Sequence, residues 1–299
     1  MPVTMFIAAL SDNPEERNQL CKFLGKETGS GDIAFYSSNF QGVIRTLLEP
    51  TLYPEKLQPL LYSLSIADYV VLQAGQLTPH LGEIIVALDL LKKEEGFILS
   101  DIELPIKGTV LENYSALSSL QEVKEKAYSL QPPEHSGEPF SLVDSAFQVK
   151  SVGNVILGTV KSGSIKKRDK LIHFPSKSEI EVKSIQLNDK EVEEAPAGGR
   201  FGICYKGGPI ERGILVPPST PLSLSENIPG KFTKSPFYKQ EIPRKIHAYY
   251  NFQFVEGSIS DSGLILEKPL AFRNSERILV TDPGSPGLRV CGVFEPSTA

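Results

Sequence analysis

The chain has 299 residues, enough for two or three domains that each bury their own core. Hydrophobic residues make up 40% and charged residues 22%, an ordinary globular balance, and a formal net charge of −5 argues against an overall basic coat for nucleic acid. No apolar run reaches the roughly 20 residues that span a membrane, so neither a membrane anchor nor a DNA-binding coat is expected.

The first residues, Met1-Pro2-Val3-Thr4, lack a basic leader and run into an apolar stretch at 5–10, which reads as a first strand rather than a signal peptide. Asn13-Pro14-Glu15-Glu16 then offers a helix cap, a proline at the first helical position and a capping carboxylate. Leu20, Phe23 and Leu24 give that helix an apolar stripe, and Gly25 can end it. Strands are expected at 33–36 and 43–48, a helix at 54–64 and a buried strand within 66–73. Thr78-Pro79 caps a longer helix to Lys93, with Ile84, Ile85, Leu88 and Leu91 at helical spacing. Strands at 97–99 and 108–111 and a last helix at 117–130 follow. Strands separated by helices predict a mostly parallel sheet covered on both faces, an α/β domain over 1–133.

Gln131 to Pro139 reads as a linker, and beyond it the helical period is lost. Short β-branched runs punctuated by Gly153, Gly158 and Gly163 predict a small β-barrel over 138–222. Pro217-Pro218 opens a second linker. A second β-domain, 230–299, starts with a long strand carrying Ile246, Ala248, Tyr250, Phe252 and Phe254 on one face. Further strands are expected at 264–266, 270–272, 278–280 and 290–294. Cys21, Cys204 and Cys291 suit buried thiols of a reducing cytoplasm, and His80, His135, His173 and His247 lack metal-ligand spacing, so no metal is expected.

Several short segments resemble one family. Lys183-Ser184-Ile185-Gln186 and Ala197-Gly198-Gly199-Arg200 are similar to barrel segments of the archaeal and eukaryotic selenocysteine-specific elongation factor. Ser235-Pro236-Phe237-Tyr238-Lys239, Lys245-Ile246-His247 and Leu266-Glu267-Lys268-Pro269-Leu270 are similar to its third domain. The resemblance implies the layout of elongation factor Tu: a GTPase-like α/β domain followed by two β-barrels. The family's fourth, RNA-recognising domain has no counterpart before Ala299.

A phosphate loop needs glycines that expose backbone N–H groups, with a Lys and a Ser or Thr for phosphate and magnesium. The corresponding turn, Leu10 to Arg17, has no Gly, and Pro14 removes a donor. Asp12, Glu15 and Glu16 put carboxylates where an anion would sit; each like-charge contact at about 4 Å costs roughly 1 kcal/mol in water and about 4 at intermediate dielectric. Arg17 can offset one of them. By the same resemblance the metal-contacting Asp-x-x-Gly falls at Glu49 to Pro54, without the Gly. The guanine-reading motif falls at Ile98 to Asp101 and keeps only the acid, and Ser115-Ala116 resembles the loop supporting the base. By resemblance Asp101, Ser115 and Ala116 form a vestigial nucleotide site, and neither GTP nor magnesium is an expected cofactor. No catalytic nucleophile–base pair is recognisable.

By the same resemblance Lys183, Gln186 and Arg200 lie where the barrel holds the tRNA acceptor end; Lys166, Lys167 and Arg168 form the densest basic run, suited to an RNA backbone. Both sets read equally as solvated polar residues of a barrel surface. The expected function is that of a cytoplasmic, catalytically inactive elongation-factor relative that binds tRNA, the ribosome or a translation partner. Two alternatives stand beside it: a protein-interaction module or homo-oligomer without an RNA role, and a GTP-binding factor with a divergent phosphate loop.

Overall fold

The computed structural model describes residues 3–134 and 136–297, so Met1, Pro2, the linker's His135 and the last two residues lie outside the described residues. The chain divides into two compact units: Met1–Pro133 with Thr233–Pro243 and Leu279–Val293, and Glu134–Phe232 with Arg244–Ile278 and Phe294–Ala299.

In the first unit β1 (Val3–Leu10), α1 (Pro14–Leu24), β2 (Lys26–Gly29), β3 (Ile33–Phe40) and β4 (Val43–Pro50) come first. They are followed by α2 (Gln58–Ile66), β5 (Tyr69–Ala74), α3 (Pro79–Leu90), β6 (Gly96–Ser100), β7 (Ser115–Leu117) and α4 (Leu120–Ser129). The sheet has the order β2-β3-β4-β1-β5-β6-β7. Strands β4, β1, β5, β6 and β7 pair in parallel, whereas β2, β3 and β4 form an antiparallel meander. The exposed strand β2 gives no apolar signal, which is why sequence alone does not reveal it.

Both faces of β1 are buried. Met5, Ile7 and Ala9 pack with Leu20, Cys21 and Leu24 of α1 and Val123 and Ala127 of α4; Phe6, Ala8 and Leu10 fill the opposite face, against which α2 packs. The helical stripe of α1 is therefore Arg17, Leu20, Cys21 and Leu24, and the expected Phe23 is 40% exposed beneath the Lys124 ammonium. Arg45 caps α4 from below, donating to the carbonyls of Ala127 and Tyr128 at 2.6 Å each.

Three expectations need correction here. The segment 108–111 is not a strand: Gly108 takes φ +79 and Val110–Asn113 form one 3₁₀ turn, capped by the Thr109 hydroxyl and by Asp89 accepting from Val110 N. The edge strand comes later, at β7, and Ser119 delays the start of α4 to Leu120 by capping Glu122 N. Helix α3 stops at Leu90 because Lys92 turns left-handed (φ 51).

The second unit contains β8 (Phe140–Val149), β9 (Gly153–Ser162), β10 (Ser164–Lys166), β11 (Lys170–Phe174) and β12 (Ser178–Leu187). Strands β13 (Lys190–Val192), β14 (Glu194–Pro196), β15 (Arg200–Gly207) and β16 (Gly213–Val216) complete this part. The ladder β11-β16-β8-β9-β15-β12 closes because β11 also pairs with β12, giving a six-stranded barrel. Inside it Val143, Ile156, Ile185, Phe201 and Ile203 interdigitate, and Gly158 lets Phe201 in: a Cβ there would lie 2.6 Å from the ring and 2.2 Å from Leu142 O.

The later strands are β17 (Ser223–Ile228), β18 (Gly230–Lys234), β19 (Ile246–Tyr250), β20 (Gln253–Ser260), β21 (Gly263–Phe272), β22 (Ile278–Thr281) and β23 (Val290–Pro296). In the second unit β17-β21-β20-β19 pair as an antiparallel half-barrel. The long strand expected across 246–254 is a hairpin instead. Asn251 (φ 40) and Phe252 (φ 70) form a two-residue turn that pairs Tyr250 with Gln253. Tyr249, Tyr250 and Phe252 are all buried, so these aromatics serve packing.

Candidate functional site

In a parallel sheet ligands bind at the C-terminal strand ends, here the turns after β1, β4, β5 and β6. The turn after β1 is filled by its own side chains. Asn13 Oδ1 accepts from Glu15 N at 3.0 Å and Glu16 N at 3.4 Å, so the helix donors that would meet an anion are taken. Ser11 Oγ accepts from Asn13 N and donates to Glu16 Oε2 at 3.2 Å, and Asp12 accepts from the Thr78 hydroxyl at the start of α3.

Arg17 turns inward, and of these acids Asp12 attracts it through space without a hydrogen bond. It is wholly buried, donating Nη1 to Ser11 O at 2.6 Å and Nη2 to Tyr53 O at 2.9 Å, with Nε 3.9 Å from Glu49 Oε1. Burial pulls its pKa down and Glu49 opposes that pull. Glu49 stands at the end of β4 where the metal-contacting acid was expected, and its carboxylate is consumed by Tyr36 Oη at 2.8 Å and Asn18 Nδ2 at 3.1 Å. Burial and the Glu49 hydrogen bond both raise the Tyr36 phenol pKa, keeping it a donor. At this turn the first helix donors and the Glu49 carboxylate are engaged by the chain's own side chains.

At the base corner the structure separates the expected residues. Asp101 is exposed beyond β6, Ser115 and Ala116 are exposed on β7, and Ser100 Oγ turns back on its own loop by donating to Ile102 O. A cavity of about 480 Å³ opens beside β6 and β7, lined by Ile98, Ser100, Tyr114 and Ala116 and by the 102–107 loop. Ala116 lines it; Asp101 and Ser115 do not.

On the barrel, Lys183 and Gln186 are exposed on the outer face of β12, Lys183 at a bulge between Val182 and Ser184 and Gln186 opposite Gly202 of β15. Arg200 lies on the same face of β15, but its Nη2 is 3.3 Å from the buried Asp144 carboxylate, whose backbone carbonyl accepts from Arg212 Nε. The basic run is likewise countered by acid: Lys166 faces Glu194 across β10–β14 at 4.0 Å, and Lys167 lies 3.5 Å from Glu191 and 3.3 Å from Glu193. Arg168 turns left-handed (φ 74) and donates its backbone N to Val182 O. The structure thus brings Lys183, Gln186 and Arg200 to one face, and gives acidic neighbours to Arg200, Lys166 and Lys167.

The chain is 28% identical over 298 residues to an uncharacterized protein of Methanocaldococcus jannaschii, covering 91% of this chain and 94% of that protein. It is 33% identical over 113 residues both to the selenocysteine-specific elongation factor of that organism and to elongation factor 1-alpha of Nanoarchaeum equitans, 36% of this chain and 24% of each factor. The chain is related to the translational elongation factors. Among solved structures this elongation-factor relative superposes on translation elongation factor SelB of Methanococcus maripaludis in its apo form with a TM-score of 0.80 at 20% identity, covering 100% of this chain and 80% of SelB. A bacterial selenocysteine-specific elongation factor gives 0.78 at 18% identity, covering 99% of this chain and 59% of that one. No protein-family model matches the chain. The α/β domain, closed barrel and half-barrel are thus the fold expected from the resemblance.

Two features of this relative escape sequence reading. Arg17 sits one turn before Leu20 and Cys21 on the helix, a spacing that could have signalled its inward face but not its partners Glu49 and Tyr53. Glu83 on α3, also wholly buried, gives no such sign, because its partner is Arg289.

Proposed function

We propose that this chain is a nucleotide-independent relative of the elongation factors that acts by docking, with the barrel face around Lys183 and Gln186 as its recognition surface. One observation carries this reading: the start of α1 spends its backbone donors on Asn13, and the buried Arg17 occupies the core beneath that turn. SelB of M. maripaludis is known in complex with the GTP analogue GppNHp; this chain has spent the groups a triphosphate would need. Without a sensed γ-phosphate no nucleotide switch drives docking.

The partner in this reading is the acceptor end of a tRNA or its ribosomal surroundings. Exposed Lys183 supplies phosphate attraction, and Gln186 a donor and an acceptor for a ribose or base edge. Fluorescence titration with aminoacylated and uncharged tRNA at low salt tests it. The expected dissociation constant is below about 10 μM, weakening as salt rises, and Lys183→Ala with Gln186→Ala abolishes it. No binding under those conditions sinks the RNA version.

A second reading, a protein partner without RNA, is favoured by the acids beside Arg200, Lys166 and Lys167, which cancel much of the charge an RNA backbone would need. Capture of a translation protein from extract that survives nuclease treatment supports it.

A further inference from the structure

The polar network beneath the β1–α1 turn continues to a segment far along the chain. Within the first unit, residues 282–289 form a hairpin closed by Asp282 N donating to Arg289 O at 2.7 Å. Its bend is held by Asp282 Oδ1 accepting from Gly284 N at 2.8 Å and Oδ2 accepting from Tyr238 Oη at 2.7 Å. At its end Arg289 meets Glu83, whose side chain has no solvent exposure. Nε lies 3.0 Å from Oε1 and Nη2 2.5 Å from Oε2, and the Arg289 backbone N adds a third bond to Oε1 at 2.7 Å. A two-pronged, charge-assisted contact of this kind fixes orientation as well as distance.

Arg289 also touches the loop after β4. Nη1 donates to Glu55 O at 3.3 Å, and the guanidinium lies 5.8 Å from the centre of the Tyr53 ring. Tyr53 is buried; its hydroxyl donates to His80 O at 2.6 Å on α3 and its carbonyl accepts from Arg17. Thr78, capping α3, bonds Asp12 in the turn after β1. Three strand-end turns and the hairpin thus form one closed circuit of polar contacts.

We propose that the Arg289–Glu83 pair is a permanent clamp: it fixes the 282–289 hairpin on α3, and Tyr53 couples that hold to Arg17, so the arrangement is set by the chain's own charges and not by a ligand. The physical ground is the asymmetry of buried pairs. Such a pair adds little net stability over apolar packing, but losing one partner leaves a charge stranded in low dielectric. Glu83 therefore cannot leave Arg289 without a new partner, and the hairpin stays seated. The inference extends the nucleotide-independent reading, and its test separates the two.

Hydrogen exchange on the full chain, followed by mass spectrometry, is the test. Wild-type peptides covering 279–293 and 78–90 are expected to be protected equally with and without GTP and magnesium. Glu83→Gln is expected to speed exchange in those peptides by about tenfold or more while the barrel peptides of 140–187 keep their rates. Arg289→Lys, which keeps the charge and loses the fork, gives a smaller rise in the same peptides. Unchanged exchange at 279–293 in Glu83→Gln, or an equal rise everywhere, overturns the clamp. A nucleotide-dependent change in the wild type overturns its independence of ligand and, with it, the reading above, even where the variants behave as stated.

Discussion

Arg17 is inside the protein because Asn13 caps α1 and the helix's buried stripe runs through positions 17, 20, 21 and 24. A guanidinium there must be satisfied by groups the chain supplies, and Ser11 O, Tyr53 O and Glu49 supply them. Arg17→Met is expected to lower unfolding free energy by about 3 kcal/mol or more, since Glu49 keeps its burial and loses its countercharge while two carbonyls lose a donor. Urea unfolding of both proteins measures it; a loss under about 1 kcal/mol would show that the pair is not what holds the turn. Sequence made the missing glycines and the lost proline donor plain, because each is a property of one residue. It set Arg17 against the acids of its own turn and missed Glu49 and Tyr53, because those partners come from a strand end that only the folded sheet brings to the helix.

Single elements follow local chemistry where the signal is strong and depart from it where a turn intervenes. The Asn251-Phe252 turn splits an apparent strand because a nine-residue alternation carries no mark of where the chain reverses. In the barrel the determining glycine is Gly158, where the Leu142 carbonyl and the Phe201 ring leave no room for a side chain. Gly158→Ala is expected to destabilise the barrel by about 2 kcal/mol or more through overpacking, read as a lowered melting temperature. Gly153→Ala offers no control, because its φ of +105 brings strain of its own; Gly208→Ala, with open space around it, does, and is expected to be near neutral.

The same barrel carries an acid-sensitive group. His173 on β11 is 1% exposed, and burial depresses its pKa from 6.5 to about 4. The folded state thus holds it neutral; its contribution to stability is complete above pH 6.5 and is lost as pH falls towards 4. The loss is on the order of 3 kcal/mol if the shift is fully expressed. Urea midpoints between pH 7 and 4 should fall more steeply for the wild type than for His173→Gln. Parallel slopes would contradict the assignment.

At the scale of the molecule, the order of domains was legible because the hydrophobic period changes from helical to alternating near residue 140 and does not change back. What sequence could not hold was pairing at a distance: Glu83 and Arg289 are 206 positions apart, and neither looks unusual alone. In the proposed reading the barrel face is a surface for docking, and the turn after β1 decides whether nucleotide belongs to it. Isothermal titration of the full chain with GTP and magnesium tests that most directly. The account predicts no heat of binding up to about 1 mM nucleotide, a binding free energy weaker than about −4 kcal/mol; a saturable micromolar isotherm would contradict it.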